Sequence, residues 1–213
     1  MILKVGVLAA ALLGLNGGGT PVDAPSPQRA IVAVEASGCR AVSEHAVGWV
    51  SSGGMVVTVA HVVRGSTEVR VDGVVATPLV VDLRTDVAVL AVPAAGSSLD
   101  LAPLPARGPA WVAHFVEGRP LSVATTATAG LVTRIDEPAD DAVYSRGALA
   151  LTFGASRGDS GAPVVDRSGR VVGMVFATAR AATQSFAVSA PEIAGVLATV
   201  DPHSPTVPTG RCA

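Results

Sequence analysis

Short apolar runs alternate along the chain with clusters of Gly, Pro, Ser and Asp. Runs of four to eight β-branched or apolar residues bounded by such clusters predict strands. The first is Ile31 to Val34. Val47 to Val50 and Met55 to Val59 flank Ser51-Ser52-Gly53-Gly54, which predicts a hairpin. Glu68 to Val71 and Val74 to Ala76 flank Asp72-Gly73, another turn signal. Val87 to Val92 is apolar throughout and suits a buried strand. The texture changes at Pro93 to Pro109, where Pro93, Pro103, Pro105 and Pro109 accompany Gly96, Ser97 and Ser98. This segment reads as a crossover between two halves.

The second half restarts at Ala110 to Val116. Leu121 to Ile135 follows, with Gly130 expected as a bend between two strands, then Val143 to Phe153. Pro163 to Val165 and Val171 to Phe176 flank an Asp166-to-Gly169 turn, and Phe186 to Val188 closes the series. One helix is predicted near the end. Ser189 and Glu192 match a capping box, Pro191 fits the first turn, and Ile193, Val196 and Leu197 form its apolar stripe. About twelve strands, a proline-rich midpoint and one late helix predict an all-β fold of two packed antiparallel six-stranded barrels. Pattern alone leaves a large sandwich open. The expected divisions are an N-terminal segment at 1–28, a first barrel at 29–107, a second barrel with the helix at 108–200, and a tail at 201–213.

Composition narrows the function. Only 15% of the 213 residues are charged and the net charge is -2, so no basic surface for nucleic acid is expected. Met1 and Lys4 precede an apolar stretch from Val5 to Leu15, followed by Gly17, Gly18, Gly19 and Pro21. A membrane span needs about 20 residues, so the stretch fits a signal-peptide core better. No A-x-A cleavage site follows, and a membrane tether through residues 2–15 stays open. Thr20 to Gln28 reads as a proline-rich linker. Cys39 and Cys212 make an even count that, with an export signal, favours one disulfide over two unpaired thiols. The sequence carries no C-x-x-C, H-E-x-x-H, dinucleotide fingerprint or P-loop, so neither metal nor cofactor is expected. The expected location is outside the cytoplasm: secreted, periplasmic or held at the cell envelope.

Three motifs carry chemistry. Arg157-Gly158-Asp159-Ser160-Gly161-Ala162-Pro163 places a serine on a glycine-flanked turn. Acyl transfer needs an exposed hydroxyl and backbone N–H groups aimed at the developing oxyanion; Gly158 and Ser160 are the candidate donors. Thr58-Val59-Ala60-His61-Val62-Val63 runs an apolar strand into a histidine, and imidazole is the general base a serine hydroxyl requires. Arg84-Thr85-Asp86-Val87-Ala88-Val89-Leu90 opens an apolar run with an aspartate that can fix one imidazole tautomer. Singly, each is an ordinary loop, strand end or surface aspartate. In the order His61, Asp86, Ser160, with the serine in the other half, they place a catalytic triad across a cleft.

Together the motifs resemble those of trypsin-like serine proteases of the chymotrypsin clan. The likeness is closest to bacterial HtrA-like proteases and actinobacterial membrane-anchored acid-resistance proteases, and covers about Ala30 to Thr199. Gly173-Met174-Val175-Phe176-Ala177 resembles the strand beside the specificity pocket. The resemblance implies a serine endopeptidase working on protein or peptide substrates, without cofactor. It also implies a substrate pocket around Gly154, Phe176, Ala177 and Thr178, and a Cys39–Cys212 disulfide. Gly154 stands where trypsin carries an aspartate, so a small or medium apolar residue is expected before the scissile bond. Phe176 stands where many such enzymes place a serine that supports the aspartate, which leaves the surroundings of Asp86 open. His114-Phe115-Val116 departs from the usual Gly-aromatic-Pro stretch, and His114 is read as structural. Arg29-Ala30-Ile31-Val32 resembles a zymogen cleavage site whose new N-terminus would pair with Asp159. The preferred reading is that Ile31 starts the first strand. A silent binding module on the same fold, or a precursor needing activation, are the alternatives.

Overall fold

The computed structural model describes residues 26–38, 40–93, 96–137, 142–179 and 183–212. The expected leader, the proposed tether and Cys39 lie outside the described residues. Among those described, no helix is long and apolar enough to cross a membrane.

The first half is one antiparallel sheet. It contains β1 (Ile31–Ser37), β2 (Glu44–Val50), β3 (Val56–Val59), β4 (Glu68–Val71), β5 (Val74–Val75), β6 (Thr77–Asp82) and β7 (Val87–Ala91). Their order is β5-β4-β1-β2-β3-β7-β6. The expected six-stranded barrel is therefore a seven-stranded half-barrel. Neither edge offers a ladder able to close it: β5 has two residues, both exposed, and β6 carries Pro78, which has no N–H, beside a register shift between Pro78 and Val80. That proline also hid β6 from the sequence reading. The centre is β3 and the first four residues of β7, all buried, with Trp49 beside them at no exposure. Each fully buried Val or Leu here contributes about 1.5–3 kcal/mol.

The second half is a closed barrel in the order β10-β13-β12-β11-β8-β9. Its strands are β8 (Arg107–Val116), β9 (Arg119–Glu137), β10 (Ala142–Leu151), β11 (Pro163–Val165), β12 (Val171–Thr178) and β13 (Ser185–Ser189). Gly130 does not separate two strands. It sits at φ +82° inside the continuous β9, opposite a register shift between Ala148 and Ala150 of β10, and so forms a bulge. The proline-rich crossover stitches the halves together. Leu99 bridges to Ser51 and Leu101 to Val171.

Two short α-helices are found among the described residues, α1 (Ala60–Val63) and α2 (Ala190–Leu197). α2 starts where predicted, but Ser189 makes no capping bond. Glu192 Oε1 instead accepts from the Gly147 N–H at 2.8 Å, tying α2 to β10.

Candidate active site

β3 delivers His61 to the cleft. Its buried strand ends at Val59, and the chain turns at once into the single turn of α1. Asp86 closes the Asp82-to-Asp86 turn that leads into β7, which pairs with β3 through Val59 and Val87. The neighbouring strands thus fix the two side chains. Asp86 adopts φ +61°, a left-handed conformation that Asp tolerates better than most residues. Two backbone contacts hold it there: its carbonyl accepts the Ala60 N–H at 3.2 Å and its Oδ1 accepts the His61 N–H at 2.9 Å.

His61 Nδ1 lies 2.9 Å from Asp86 Oδ2 and 3.1 Å from Oδ1. A carboxylate only accepts, so Nδ1 carries the proton and donates. Nε2 of the neutral ring is then left as a base. Desolvation pulls the His61 pKa down. The Asp86 carboxylate, through charge and hydrogen bond, and the Glu44 carboxylate push it up, while the Arg146 guanidinium opposes them. The net position is above 6.5.

The Ser160 loop is docked across the halves. Ser160 O accepts the Val47 N–H of β2 at 2.8 Å, and the Gly161 N–H donates to Val175 O at 2.7 Å. A Cβ at Gly161 would lie 1.8 Å from Val47 O, so only glycine fits. Ahead of the serine, the Asp159 N–H donates to Ser156 O at 3.1 Å, and Gly158 takes φ +95°. That pattern is a turn needing glycine at its third position. Neither the Gly158 nor the Ser160 N–H donates to another group among the described residues. His61, Gly158 and Ser160 share an open cleft of about 620 Å³ with Arg40, Val42, Glu44 and Arg157. No hydrogen bond joins Ser160 Oγ to His61 among the described residues.

Residues 46–174 match the trypsin-like peptidase domain family. The chain belongs to the trypsin-like serine protease family. Serine protease Rv3671c of Mycobacterium tuberculosis is 36% identical over 186 residues, covering 82% of this chain and 46% of the relative. The chain thus spans less than half the length of that curated relative. The solved Rv3671c protease in its active form superposes with a TM-score of 0.74 at 28% identity, over 100% of this chain and 99% of that one. The HtrA-type protease AlgW with a tripeptide gives 0.64 at 18% identity, over 84% and 61%; at that identity the likeness is one of fold.

The trypsin-like domain arranges the remaining candidates unevenly. Phe176 is an extra residue in β12, at a register shift between Val175 and Ala177. Its ring is 7% exposed and lies beneath the Arg146 guanidinium, 5.2 Å from its centroid. Gly154 and Thr178 are exposed and Ala177 half-buried. None of these four lines the Ser160 cleft. His114 is buried, as expected of a structural residue. Its Nδ1 donates to Asp159 Oδ1 at 2.8 Å, and its ring meets Phe153 edge-on at 5.3 Å. Asp159 therefore has an internal partner, and Ile31 is engaged in β1, paired with Trp49. Sequence reasoning missed Arg146, whose Nη1 lies 3.3 Å from Asp86 Oδ2. An arginine inside the apolar β10 run was the available signal.

Proposed function

We propose that the chain is a serine endopeptidase acting on proteins outside the cytoplasm, with Ser160, His61 and Asp86 as its triad. The supporting observation is the Asp86–His61 pair facing the cleft that holds Ser160, with two unclaimed backbone N–H groups beside it. His61 Nε2 takes the Ser160 proton as Oγ bonds to the substrate carbonyl carbon. The oxyanion settles on the Gly158 and Ser160 N–H groups. Collapse breaks the C–N bond, and His61 returns the proton to the leaving amine. Water, deprotonated by the same nitrogen, then hydrolyses the acyl-enzyme and frees Ser160.

The pocket assigned to Gly154, Phe176, Ala177 and Thr178 takes a small or medium apolar side chain, because no carboxylate stands at position 154. The Cys39–Cys212 disulfide is also part of this reading. Gly38 packs against Thr67, whose N–H donates to Ser37 O at 2.8 Å. Two residues away, Gly65 lies against Cys212, whose Sγ is 3.6 Å from Gly65 O. Those contacts draw the segment before Cys39 toward the C-terminal residues. The N-terminal apolar segment supports export.

Fluorophosphonate labelling of the full chain tests the triad. Labelling that disappears in Ser160→Ala is expected. A folded protein that stays unlabelled in both oxidised and reduced forms overturns the reading and favours a binding module on this fold.

A further inference from the structure

We infer that Arg146 is a positioning residue of the active site, holding Asp86 by charge where related proteases use a neutral hydroxyl. This rests on the proposed triad. Arg146 comes from β10, in the other half of the molecule from Asp86. Its side chain is 3% exposed and that of Asp86 is 7%. Nη1 meets Asp86 Oδ2 at 3.3 Å, and Nη2 donates to Leu83 O at 3.1 Å. One guanidinium therefore grips the Asp82-to-Asp86 turn at two points. The Phe176 ring, which occupies the position expected for a serine, supports its face. The bulge at Phe176 aims that ring. Nε has no partner among the described residues. Full satisfaction of the guanidinium therefore does not account for its burial, whereas pairing with the Asp86 charge does.

The substitution of a cation for a hydroxyl has a chemical consequence. Asp86 Oδ1 accepts the His61 backbone N–H, while Oδ2 serves both His61 Nδ1–H and Arg146. A hydroxyl would orient the carboxylate and leave its full charge to His61. Arg146 also neutralises part of that charge. Three groups on different elements face His61: Asp86 before β7, Glu44 on β2 and Arg146 on β10. Asp86 and Glu44 favour the imidazolium and Arg146 opposes it. Arg146 thereby keeps the base unprotonated, and Ser160 reactive, at lower pH than Asp86 alone would permit.

The test is the rate of fluorophosphonate labelling against pH, using the full chain and checking each variant for Ser160 dependence and native circular dichroism. Wild type is expected to label through Ser160. Arg146→Gln is expected to raise the acid limb by about 1 pH unit, so that labelling below the limb falls about tenfold. Arg146→Lys retains the charge and is expected to keep the limb within about 0.3 pH unit of wild type. Its labelling on the pH plateau should fall several-fold, because an ammonium lacks the planar two-point grip. An unmoved limb in Arg146→Gln, or equal movement in both variants, overturns the inference. Where Arg146→Gln fails to fold, Arg146→Lys decides: a lower plateau with an unmoved limb supports it, and wild-type labelling throughout overturns it. Wild type that does not label through Ser160 refutes the triad itself, a result distinct from labelling that ignores Arg146.

Discussion

Two glycines flank Ser160 within three residues and share a left-handed backbone, yet alanine should be tolerated very differently at each. Gly158 has φ +95° and Gly161 φ +85°. Alanine at either position meets a similar conformational cost of about 1–2 kcal/mol. At Gly158 a Cβ finds nothing within 4 Å. At Gly161 it would lie 1.8 Å from Val47 O and 2.7 Å from Thr58 Oγ1. Relief requires β2 and the serine loop to part by more than an ångström. Parting breaks the Val47 N–H to Ser160 O bond and the Thr58 hydroxyl to Val47 O bond, each 2.8 Å long. Each such break costs about 1–3 kcal/mol. Gly161→Ala should therefore lose about 2–6 kcal/mol more than Gly158→Ala, a large part of the 5–15 kcal/mol typical of a domain. Urea denaturation of both variants measures the difference, with fluorophosphonate labelling as the local readout. Equal losses in the two variants would refute the view that close docking of Gly161 on β2 holds the serine loop.

Further outcomes follow from the same geometry. His61 must be neutral to accept the Ser160 proton, and its pKa is raised, so the acid limb of kcat/KM should lie above 6.5. The same raised value adds stability that is fully present below about pH 6.5 and lost as pH rises through the folded-state pKa; melting temperatures of wild type and His61→Ala across that range measure it. His114→Ala removes one of the two hydrogen bonds to the Asp159 carboxylate, the other coming from the Ser156 N–H, and should cost about 1.5–3 kcal/mol, with loss of labelling as the oxyanion turn loosens; a variant of wild-type stability would show that Asp159 is held without His114. Cys212→Ser and reduction of wild type should lower the melting temperature to the same extent, since a loop of this length stabilises by up to about 5 kcal/mol. Unequal effects would mean that no Cys39–Cys212 bridge exists.

Strand positions were legible wherever apolar runs met turn residues. Glu68–Val71 and Pro163–Val165 are strands with the boundaries expected. Failures occurred where one residue type admits two local structures. Gly130 can end a strand or bulge it, and only pairing with β10 decides between them. Pro78 is excluded from a central strand but allowed on an edge, and sheet order is not written locally. Ser189 and Glu192 have the spacing of a capping box, yet β10 presents Gly147 N–H to Glu192 and takes that carboxylate. The one-turn helix bearing His61 has no signature because four residues are too few for a periodicity.

The candidate site divides along the same line. His61, Asp86 and Ser160 sit in motifs whose neighbours build their own turns, so each could be named from a few adjacent residues. Their supports come from elsewhere in the chain. In β10, apolar Val143 and Leu149 assign the odd-numbered face to the core and turn Arg146 outward. The fold does the reverse here, leaving Val143 52% exposed and Arg146 4%. The inversion has a charge logic that no motif could encode. Arg146 is always cationic, so it balances an ionised Asp86, and the buried pair is neutral while His61 is neutral. In the proposed mechanism, taking the Ser160 proton makes that group of three net positive, with Glu44 the negative charge at the cleft side. The aspartate beside His61 thus sets most of its strength as a base, and a strand in the second barrel tempers it.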